Sequence, residues 1–403
     1  MTRLPKATAK HAKERQKSKM HCFCRQTWRH LHALADIRTL RIGLVRRGFS
    51  PTGGAERYLK RLACGLVEQG HDVQLFATKE WPSNEWPFGE VNHLNSRSIL
   101  GFADEVEKKR AAGSCDLLLS LERIWRCDLY RAGDGVHQAW LQRRQKFEGR
   151  WREIARKFNR KHREVLRLEQ SLFGERCAGR VIANSKMVKD EIFDFYSYRP
   201  DMIDIVRSGL PLKDFQFSAE VRRKSRLKLD LEPDDVAVLF VGTGWERKGL
   251  RYAIEAVESC SKKLRLLVAG GGDADRYRSD RVQFLGEVVD LLPIFAAADV
   301  FILPTIYDPF SNACLEAMAC GLPVITTRAN GFYEIMEDRI DGSIIDSADD
   351  VSDLVSALED WSDPTRRAAA RPSILKHAAR FDISRNVNET IRALTQAATS
   401  KPA

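Results

Sequence analysis

Two carboxylates flank a predicted strand-to-helix turn in the second half of the chain. Asp308 comes before the turn, and Glu316 lies eight positions later inside a helix predicted over Ala313–Ala319. Because eight residues make a little over two helical turns, both side chains can face one cleft. The backbone amides at the start of a helix lack helical partners, and such amides bind anions. The predicted amide donors are Asn312, Ala313, Cys314 and Leu315.

This combination of groups suits a sugar nucleotide. Carboxylate oxygens accept hydrogen bonds from sugar and ribose hydroxyls, while amide N–H groups donate to phosphate. The alternative is an ordinary buried turn, in which Asp308 is solvated and Glu316 is satisfied by local partners. Three further motifs favour the functional interpretation.

Two adjacent cations form the second motif. The turn over residues 242–249 reads Gly-Thr-Gly-Trp-Glu-Arg-Lys-Gly, so Arg247 and Lys248 stand at the start of a predicted helix. The helix dipole disfavours cations there unless an anion is also bound. In this turn, which contains Gly244, an arginine fork and a lysine point charge can clamp a diphosphate. A solvated Arg-Lys pair is the alternative.

A pair of glycines forms the third motif. Gly53 and Gly54 follow the first predicted strand, Arg41–Arg46, and precede a helix. Glycine lets the backbone approach a ligand closely, and the helix start offers amides to a pyrophosphate. A plain connecting turn is the alternative.

The fourth motif is a carboxylate between two glycines. The predicted strand Leu129–Ala132 runs into Gly133-Asp134-Gly135, which places Asp134 in the cleft, in the acceptor or catalytic zone. An Asp-Gly turn without function is the alternative. His137 follows closely, and the sequence leaves open whether it faces the cleft or packs inside.

Strands and helices alternate along most of the chain, which predicts parallel sheets built from right-handed βαβ units. Two such sets predict an α/β protein of two facing Rossmann-like, doubly wound domains, with ligands in the cleft between them. We expect a basic flexible arm over 1–38, a first Rossmann-like domain over 39–207, a second one over 208–375 and a helical segment over 376–403 that returns to the first domain. The strongest individual predictions are strands Val236–Val241, Leu264–Ala269, Val300–Leu303 and Val324–Thr327, helix Lys186–Tyr196, and helical material over Pro372–Ala398.

Composition narrows the class of protein. The 403 residues are 43% hydrophobic, and no apolar run approaches the roughly 18 residues of a membrane span. The basic N-terminus lacks the apolar core of a secretory signal. Nine cysteines without a Cys-x-x-Cys pair predict reduced thiols in the cytoplasm. The spacing of His21, Cys22 and Cys24 fits no standard zinc site.

Positive charge is concentrated in two blocks of a chain with a net charge of +11. Residues 1–31 contain nine Lys/Arg and one acid, and residues 143–167 contain eleven basic residues and three acids. The second block includes Trp151 and Phe158, and basic residues with aromatics suit an anionic membrane or a phosphorylated glycolipid. A solvated face is the plain alternative. A nucleic-acid-binding protein is a further alternative, but it leaves the Arg-Lys turn, the pair of carboxylates and the paired glycines unexplained.

Taken together, the motifs resemble those of family 4 retaining glycosyltransferases of the GT-B fold, over most of residues 40–398. Their donor signature is normally Glu-x7-Glu, and this chain has Asp308 in the first place. The resemblance rests on Gly53-Gly54, Ala132-Gly133-Asp134, the Arg-Lys turn, the 308–316 pair and Ala296-Ala297-Ala298-Asp299. Among such enzymes, the chain is most similar to bacterial lipopolysaccharide core glucosyltransferases.

The resemblance implies that the domain over 39–207 binds the acceptor and that the domain over 208–375 binds the donor. It also implies a role for each matching residue. Arg247 and Lys248 would bind the diphosphate, and Glu316 the ribose hydroxyls. Asp308 would bind the transferred sugar, Asp134 would lie near the anomeric carbon and the acceptor, and the turn containing Val288 would lie against the uracil.

The expected activity is transfer of a hexose, taken to be glucose, from a UDP-sugar to the inner-core heptose of a phosphorylated glycolipid, with retention. Another lipid-linked or polysaccharide acceptor is the alternative. We expect no metal or other cofactor, because Arg247 and Lys248 supply the charge that a metal would and the four motifs contain no Asp-x-Asp pair. The expected location is the cytoplasmic face of the inner membrane, with residues 143–167 as the contact.

Overall fold

The computed structural model describes residues 39–50, 53–147, 159–215, 218–261 and 263–399, and all structural statements below concern these residues. They form two parallel α/β sheets, each covered by helices on both faces. The predicted fold class is therefore confirmed. The basic arm over 1–38 and the aromatic residues Trp151 and Phe158 lie outside the described residues.

The first sheet has seven strands in the order β3-β2-β1-β4-β5-β6-β7, all parallel. Chain order reverses between β1 and β4, and a ligand crevice opens at such a point beyond the carboxyl ends of the strands. The strands are β1 Arg41–Val45, β2 Asp72–Thr78, β3 Val91–Leu94, β4 Leu117–Ser120, β5 Cys127–Ala132, β6 Ala178–Ala183 and β7 Ile203–Ile205.

The second sheet has six parallel strands in the order β10-β9-β8-β11-β12-β13, with its reversal between β8 and β11. The Arg-Lys turn follows β8 and Asp308 follows β11, so both motifs lie at this reversal. The strands are β8 Val236–Val241, β9 Leu264–Ala269, β10 Val282–Gly286, β11 Val300–Leu303, β12 Val324–Thr327 and β13 Gly342–Ile345.

Twelve α-helices connect and cover the strands within the described residues. They are α1 Gly54–Glu68, α2 Ile99–Ala111, α3 His137–Gln145, α4 Arg160–Glu169, α5 Lys186–Tyr196, α6 Ala219–Lys228, α7 Leu250–Ser259, α8 Leu292–Ala297, α9 Asn312–Ala319, α10 Val351–Trp361, α11 Pro364–Ala378 and α12 Ile383–Thr399. None of the helices in the described ranges is both long enough and apolar enough to cross a bilayer.

The C-terminal part differs from the prediction of helical material over Pro372–Ala398. Two helices are present, and Pro372 lies inside α11 rather than at its start. The helix is interrupted between Ala378 and Ile383, while the chain continues. In this segment the Phe381 carbonyl accepts from Leu210 N, and the Leu210 carbonyl accepts from Ile383 N. Helix α12 then packs on α1 and on strands β4, β5 and β6 of the first sheet.

Asp299, the last residue of the Ala-Ala-Ala-Asp motif, has a structural role in the second domain. Its buried carboxylate accepts from Arg222 Nη2 at 2.6 Å, Arg226 Nη1 at 3.1 Å and Ala237 N at 2.9 Å. The two arginines belong to α6 and Ala237 to β8, so one carboxylate joins a helix and a central strand of the second domain. A buried carboxylate is tolerated only with such complete pairing.

We expect Asp299→Ala to destabilise the second domain by about 3–5 kcal/mol. The substitution leaves two partly buried arginines without their carboxylate partner, although both keep hydrogen bonds to backbone carbonyls. Urea unfolding followed by tryptophan fluorescence measures the change. Asp346→Ala is the matched control, because Asp346 pairs with Arg328 while 80% exposed and such a pair contributes only ~0–1 kcal/mol. Equal effects of the two substitutions would contradict the assignment.

Candidate active site

Lys248 and Asp308 form the centre of the site. Lys248 Nζ donates to Asp308 Oδ2 at 3.1 Å, and Arg247 Nη1 lies 3.8 Å from the same oxygen. Arg247 also donates to the Tyr307 carbonyl at 2.8 Å, while its own carbonyl accepts from Ile306 N and Thr305 Oγ1. The turn after β8 and the segment after β11 are therefore tied together by charge and by backbone.

Gly242 permits this position of the lysine. Its φ of 146° is one that other residues rarely adopt, and a Cβ there would lie 2.6 Å from Lys248 Cδ and Cε. The lysine stem thus passes directly over the backbone at the end of β8. Only 12% of its side chain is exposed, compared with 34% for Arg247, so the ammonium is the more desolvated of the two charges.

Glu316 lies on α9 and faces the first domain. Its carboxylate is buried, and Arg57 Nη2 of α1 approaches it to 3.7 Å. A Cβ on Gly54, at the start of α1, would lie 3.6 Å from Asn312 Nδ2, at the start of α9. The beginnings of α1 and α9 therefore meet across the cleft, and the glycine pair lies against the carboxylate signature.

The amides at the start of α9 are only partly available. Ser311 caps the helix, because its Oγ accepts from Cys314 N and its carbonyl accepts from Leu315 N. The side chains of Cys314 and Leu315 are fully buried in the core of the second domain. The prediction that all four amides are free was wrong for these two residues. Within the described residues, the amides of Asn312 and Ala313 have no partner.

Asp134 is on the surface of the first domain, with 62% of its side chain exposed and Arg123 Nη1 4.0 Å from its carboxylate. The sequence left open whether His137 faces the cleft or packs inside, and in the structure it packs inside. Its Nε2 lies 3.0 Å from His162 Nδ1, and burial, with Arg123 and His162 nearby, lowers its pKa to about 3. His137 is thus a neutral packed side chain, and of the two Asp134 is the exposed one.

The remaining predicted residues lie at the edge of the site. Gly244 is exposed at the tip of the Arg-Lys turn, with a positive φ of 69°. Val288 follows β10 and packs, half-buried, against the core of the second domain. The Gly244 carbonyl accepts from Lys248 N at 3.2 Å, whereas Val288 makes no hydrogen bond to Lys248, Asp308 or Glu316 within the described residues.

Sequence reasoning missed the residues that bring the domains together. Arg57 lies one turn after Gly54 on α1, which is the only sequence signal for its position. Glu334 of the second domain accepts from Lys186 N at 2.8 Å, Met187 N at 2.7 Å and Arg207 Nη1 at 2.9 Å of the first. Tyr307 enters the first domain, as described below. These contacts join residues more than a hundred positions apart.

Two protein-family models match the chain, and each covers most or all of the strands of one sheet. The model of Glycosyltransferase Family 4 matches residues 52–214, and that of Glycosyl transferases group 1 matches residues 235–363. The chain is a GT-B glycosyltransferase of the group 1/family 4 superfamily. The prediction that the chain is a glycosyltransferase is confirmed.

Two relatives show how the similarity is distributed. An uncharacterised glycosyltransferase of Methanocaldococcus jannaschii is 27% identical over 75% of this chain and 84% of the relative. A D-inositol 3-phosphate glycosyltransferase of Paenarthrobacter aurescens is 30% identical over 55% of this chain and 58% of the relative.

Solved structures share the fold of this glycosyltransferase. WaaG, a glycosyltransferase involved in lipopolysaccharide biosynthesis, superposes with a TM-score of 0.76 at 19% identity, over 88% of this chain and 99% of WaaG. Anabaena HepE in complex with UDP-glucose superposes with a TM-score of 0.67 at 18% identity, over 88% of this chain and all of that one.

The two carboxylates of the signature have opposite pKa shifts. Burial by itself would raise the pKa of Asp308, but Lys248 and Arg247 outweigh it and leave the pKa below its ordinary value. Burial raises the pKa of Glu316 above its ordinary value, and the nearby arginines and Lys248 offset only part of that effect. Asp308 is therefore held ionised, whereas the ionised form of Glu316 is disfavoured.

These shifts predict pH dependences of opposite sign. The lowered pKa of Asp308 contributes stability that is present above the unfolded value of ~3.9 and is lost as pH falls through the folded value. The raised pKa of Glu316 means that stability is lost as pH rises from the unfolded value of ~4.3 through the folded one. Urea unfolding between pH 3 and pH 7 measures both. Relative to the native chain, Asp308→Asn should become less stable as pH rises, and Glu316→Gln more stable. Slopes of the same sign would contradict the site electrostatics.

Proposed function

We propose that this glycosyltransferase moves a hexose from a UDP-sugar to an acceptor hydroxyl with retention of anomeric configuration. The observation that carries the proposal is the partly desolvated Lys248, held by Asp308 at the sheet reversal where α/β folds bind ligands. The donor would lie between the Arg-Lys turn and the starts of α1 and α9.

Charge balance supports a diphosphate ligand. Arg61 lies one turn beyond Arg57 on α1, and Glu316 is close enough to influence its pKa, although burial lowers that pKa overall. The site thus holds four cations and two carboxylates, so positive charge is in excess even if Glu316 is ionised. A nucleoside diphosphate sugar carries one negative charge on each of its two phosphates, so it would offset this excess. The four cations are Arg57, Arg61, Arg247 and Lys248.

Breaking the bond between sugar and phosphate makes the leaving diphosphate more negative. A cation stabilises the transition state more than the bound donor if it is fixed where that charge grows. Asp308 and the backbone of Gly242 hold Lys248 in place before the donor arrives, so no reorganisation is needed during reaction. Asp308 and Glu316 would accept hydrogen bonds from hydroxyls of the sugar and the ribose.

We take the donor to be UDP-glucose, because HepE, which shares the fold, has been solved with that ligand. We take the acceptor to be a phosphorylated glycolipid, namely the inner-core heptose of lipopolysaccharide. The support is the similarity to WaaG and the basic side chains of α3 and α4 on the first domain. An anionic membrane, reached through residues 143–167 at the cytoplasmic face of the inner membrane, fits the same charges.

We expect Lys248→Ala to reduce kcat by about 10²–10³-fold, because one fixed donor to a developing anion is worth ~2.7–4 kcal/mol of barrier. Release of UDP from UDP-glucose in the presence of acceptor measures the loss. Lys224→Ala is the control, since Lys224 pairs only with Glu220 on the exposed face of α6. Near-native turnover of Lys248→Ala would refute the clamp.

An acceptor panel tests the second half of the proposal. With UDP-glucose as donor, transfer to a heptose-containing lipopolysaccharide core should exceed transfer to inositol phosphate, the acceptor class in the name of the Paenarthrobacter relative. The anomeric configuration of the product, read by NMR, should match that of the donor. Preferred transfer to inositol phosphate would replace the glycolipid proposal, and an inverted product would overturn retention.

A further inference from the structure

Tyr307 belongs to the second domain by sequence but to the first by packing. It follows β11 immediately before Asp308, yet its ring is a member of the hydrophobic cluster formed by one face of the first sheet and its helices. The side chain is 2% exposed and stacks on Trp140 of α3 at 6.3 Å between ring centroids. The residue therefore crosses the cleft completely.

The Tyr307 hydroxyl donates one hydrogen bond to the first domain and accepts another from it. The hydroxyl donates to Glu191 Oε2 at 2.7 Å and accepts from Val136 N at 2.9 Å. Glu191 is fixed in turn by Arg143, whose Nη2 donates to its other oxygen at 2.9 Å. Buried polar groups with defined partners specify a single geometry, because any displacement leaves them unsatisfied.

Gly135 makes room for the hydroxyl. Its φ is 69°, and a Cβ at this position would lie 2.3 Å from Tyr307 Oη and 2.6 Å from Pro309 Cγ. The backbone of the Asp134 loop therefore lies directly against the segment that carries Asp308. The second glycine of the Gly-Asp-Gly motif has its role here, in the contact between domains.

Tyr307 thus joins two carboxylates from different domains. On its C-terminal side it is bonded to Asp308, and its carbonyl accepts from Arg247. Its hydroxyl holds Val136, two residues after Asp134. We infer that Tyr307 is a positioning residue, which fixes the acceptor-side loop of Asp134 relative to the donor sugar held by Asp308 when the two domains meet.

This inference rests on the proposed function, since it concerns the distance between acceptor and donor in that reaction. Transfer rates depend steeply on that distance, and a 1 Å misplacement can cost 10²-fold. The donor site, however, is built from Arg247, Lys248, Asp308 and α9, none of which is held by the hydroxyl. Loss of the hydroxyl should therefore slow transfer without weakening nucleotide binding.

The test is Tyr307→Phe, which keeps the ring and removes the hydroxyl. We expect kcat to fall at least about tenfold, within the range that misplacement can produce, while the Kd for UDP measured by calorimetry changes less than about twofold. Tyr198→Phe is the matched control, because that buried hydroxyl donates to Ala178 O at 2.7 Å away from the cleft. It should lower thermal stability similarly and leave kcat unchanged.

Gly135→Ala tests the same contact from the other side. The added methyl displaces the Tyr307 hydroxyl, so kcat should again fall while UDP binding persists. In a double-mutant cycle, the double variant Gly135→Ala/Tyr307→Phe should lose less kcat than the product of the two single losses. The backbone strain at Gly135 is the same with tyrosine or phenylalanine at position 307, so it cancels in this comparison.

The outcomes separate the inference from the proposed function. Native kcat in both Tyr307→Phe and Gly135→Ala would overturn the positioning role, as would a parallel loss of UDP affinity and turnover. A native chain that neither binds UDP nor transfers sugar would overturn the proposed function and this inference with it.

Discussion

The contact between Lys248 and Asp308 is the constraint on which the site depends. It joins the turns after β8 and β11, the two central strands on either side of the sheet reversal. A lysine is desolvated at this depth only because a carboxylate 3.1 Å away compensates for the lost water. The same carboxylate is held ionised by that lysine. Lys248 and Asp308 therefore hold each other in place at the centre of the site.

Around this pair, the two domains contribute unlike parts. The second domain supplies the Arg-Lys turn and the carboxylates, while the first supplies Arg57, Arg61 and the Asp134 loop. The domains meet through polar contacts at Glu334 and at Tyr307. They also meet through apolar contacts, because the Tyr307 ring is buried in the first domain, and Trp140 and Phe147 of the first domain pack against the core of the second. Such contacts fix the position of one domain relative to the other.

Strands and helices with strong local signals could be predicted from the sequence. The bounds predicted for β8, β9, β11, β12 and α5 agree with the structure to the residue, because apolar runs and the Asn-Ser cap mark them. Strand β13, which begins with Gly342-Ser343, carries no such signal and was missed. The sequence did carry a signal for the start of α9, because Ser311 is a preferred N-cap residue. Its hydroxyl and carbonyl take the amides of Cys314 and Leu315, which were predicted to be free. Arg57 and Tyr307 were invisible for another reason, since their partners are distant in the chain.

The most direct test of this account is a crystal structure of the chain with UDP bound. The account predicts phosphate oxygens within hydrogen-bonding distance, roughly 2.7–3.2 Å, of Lys248 Nζ, with Arg247 beside them and the ribose hydroxyls on Glu316. UDP bound elsewhere, with the ion pair of Lys248 and Asp308 intact and no phosphate near it, would contradict the central claim.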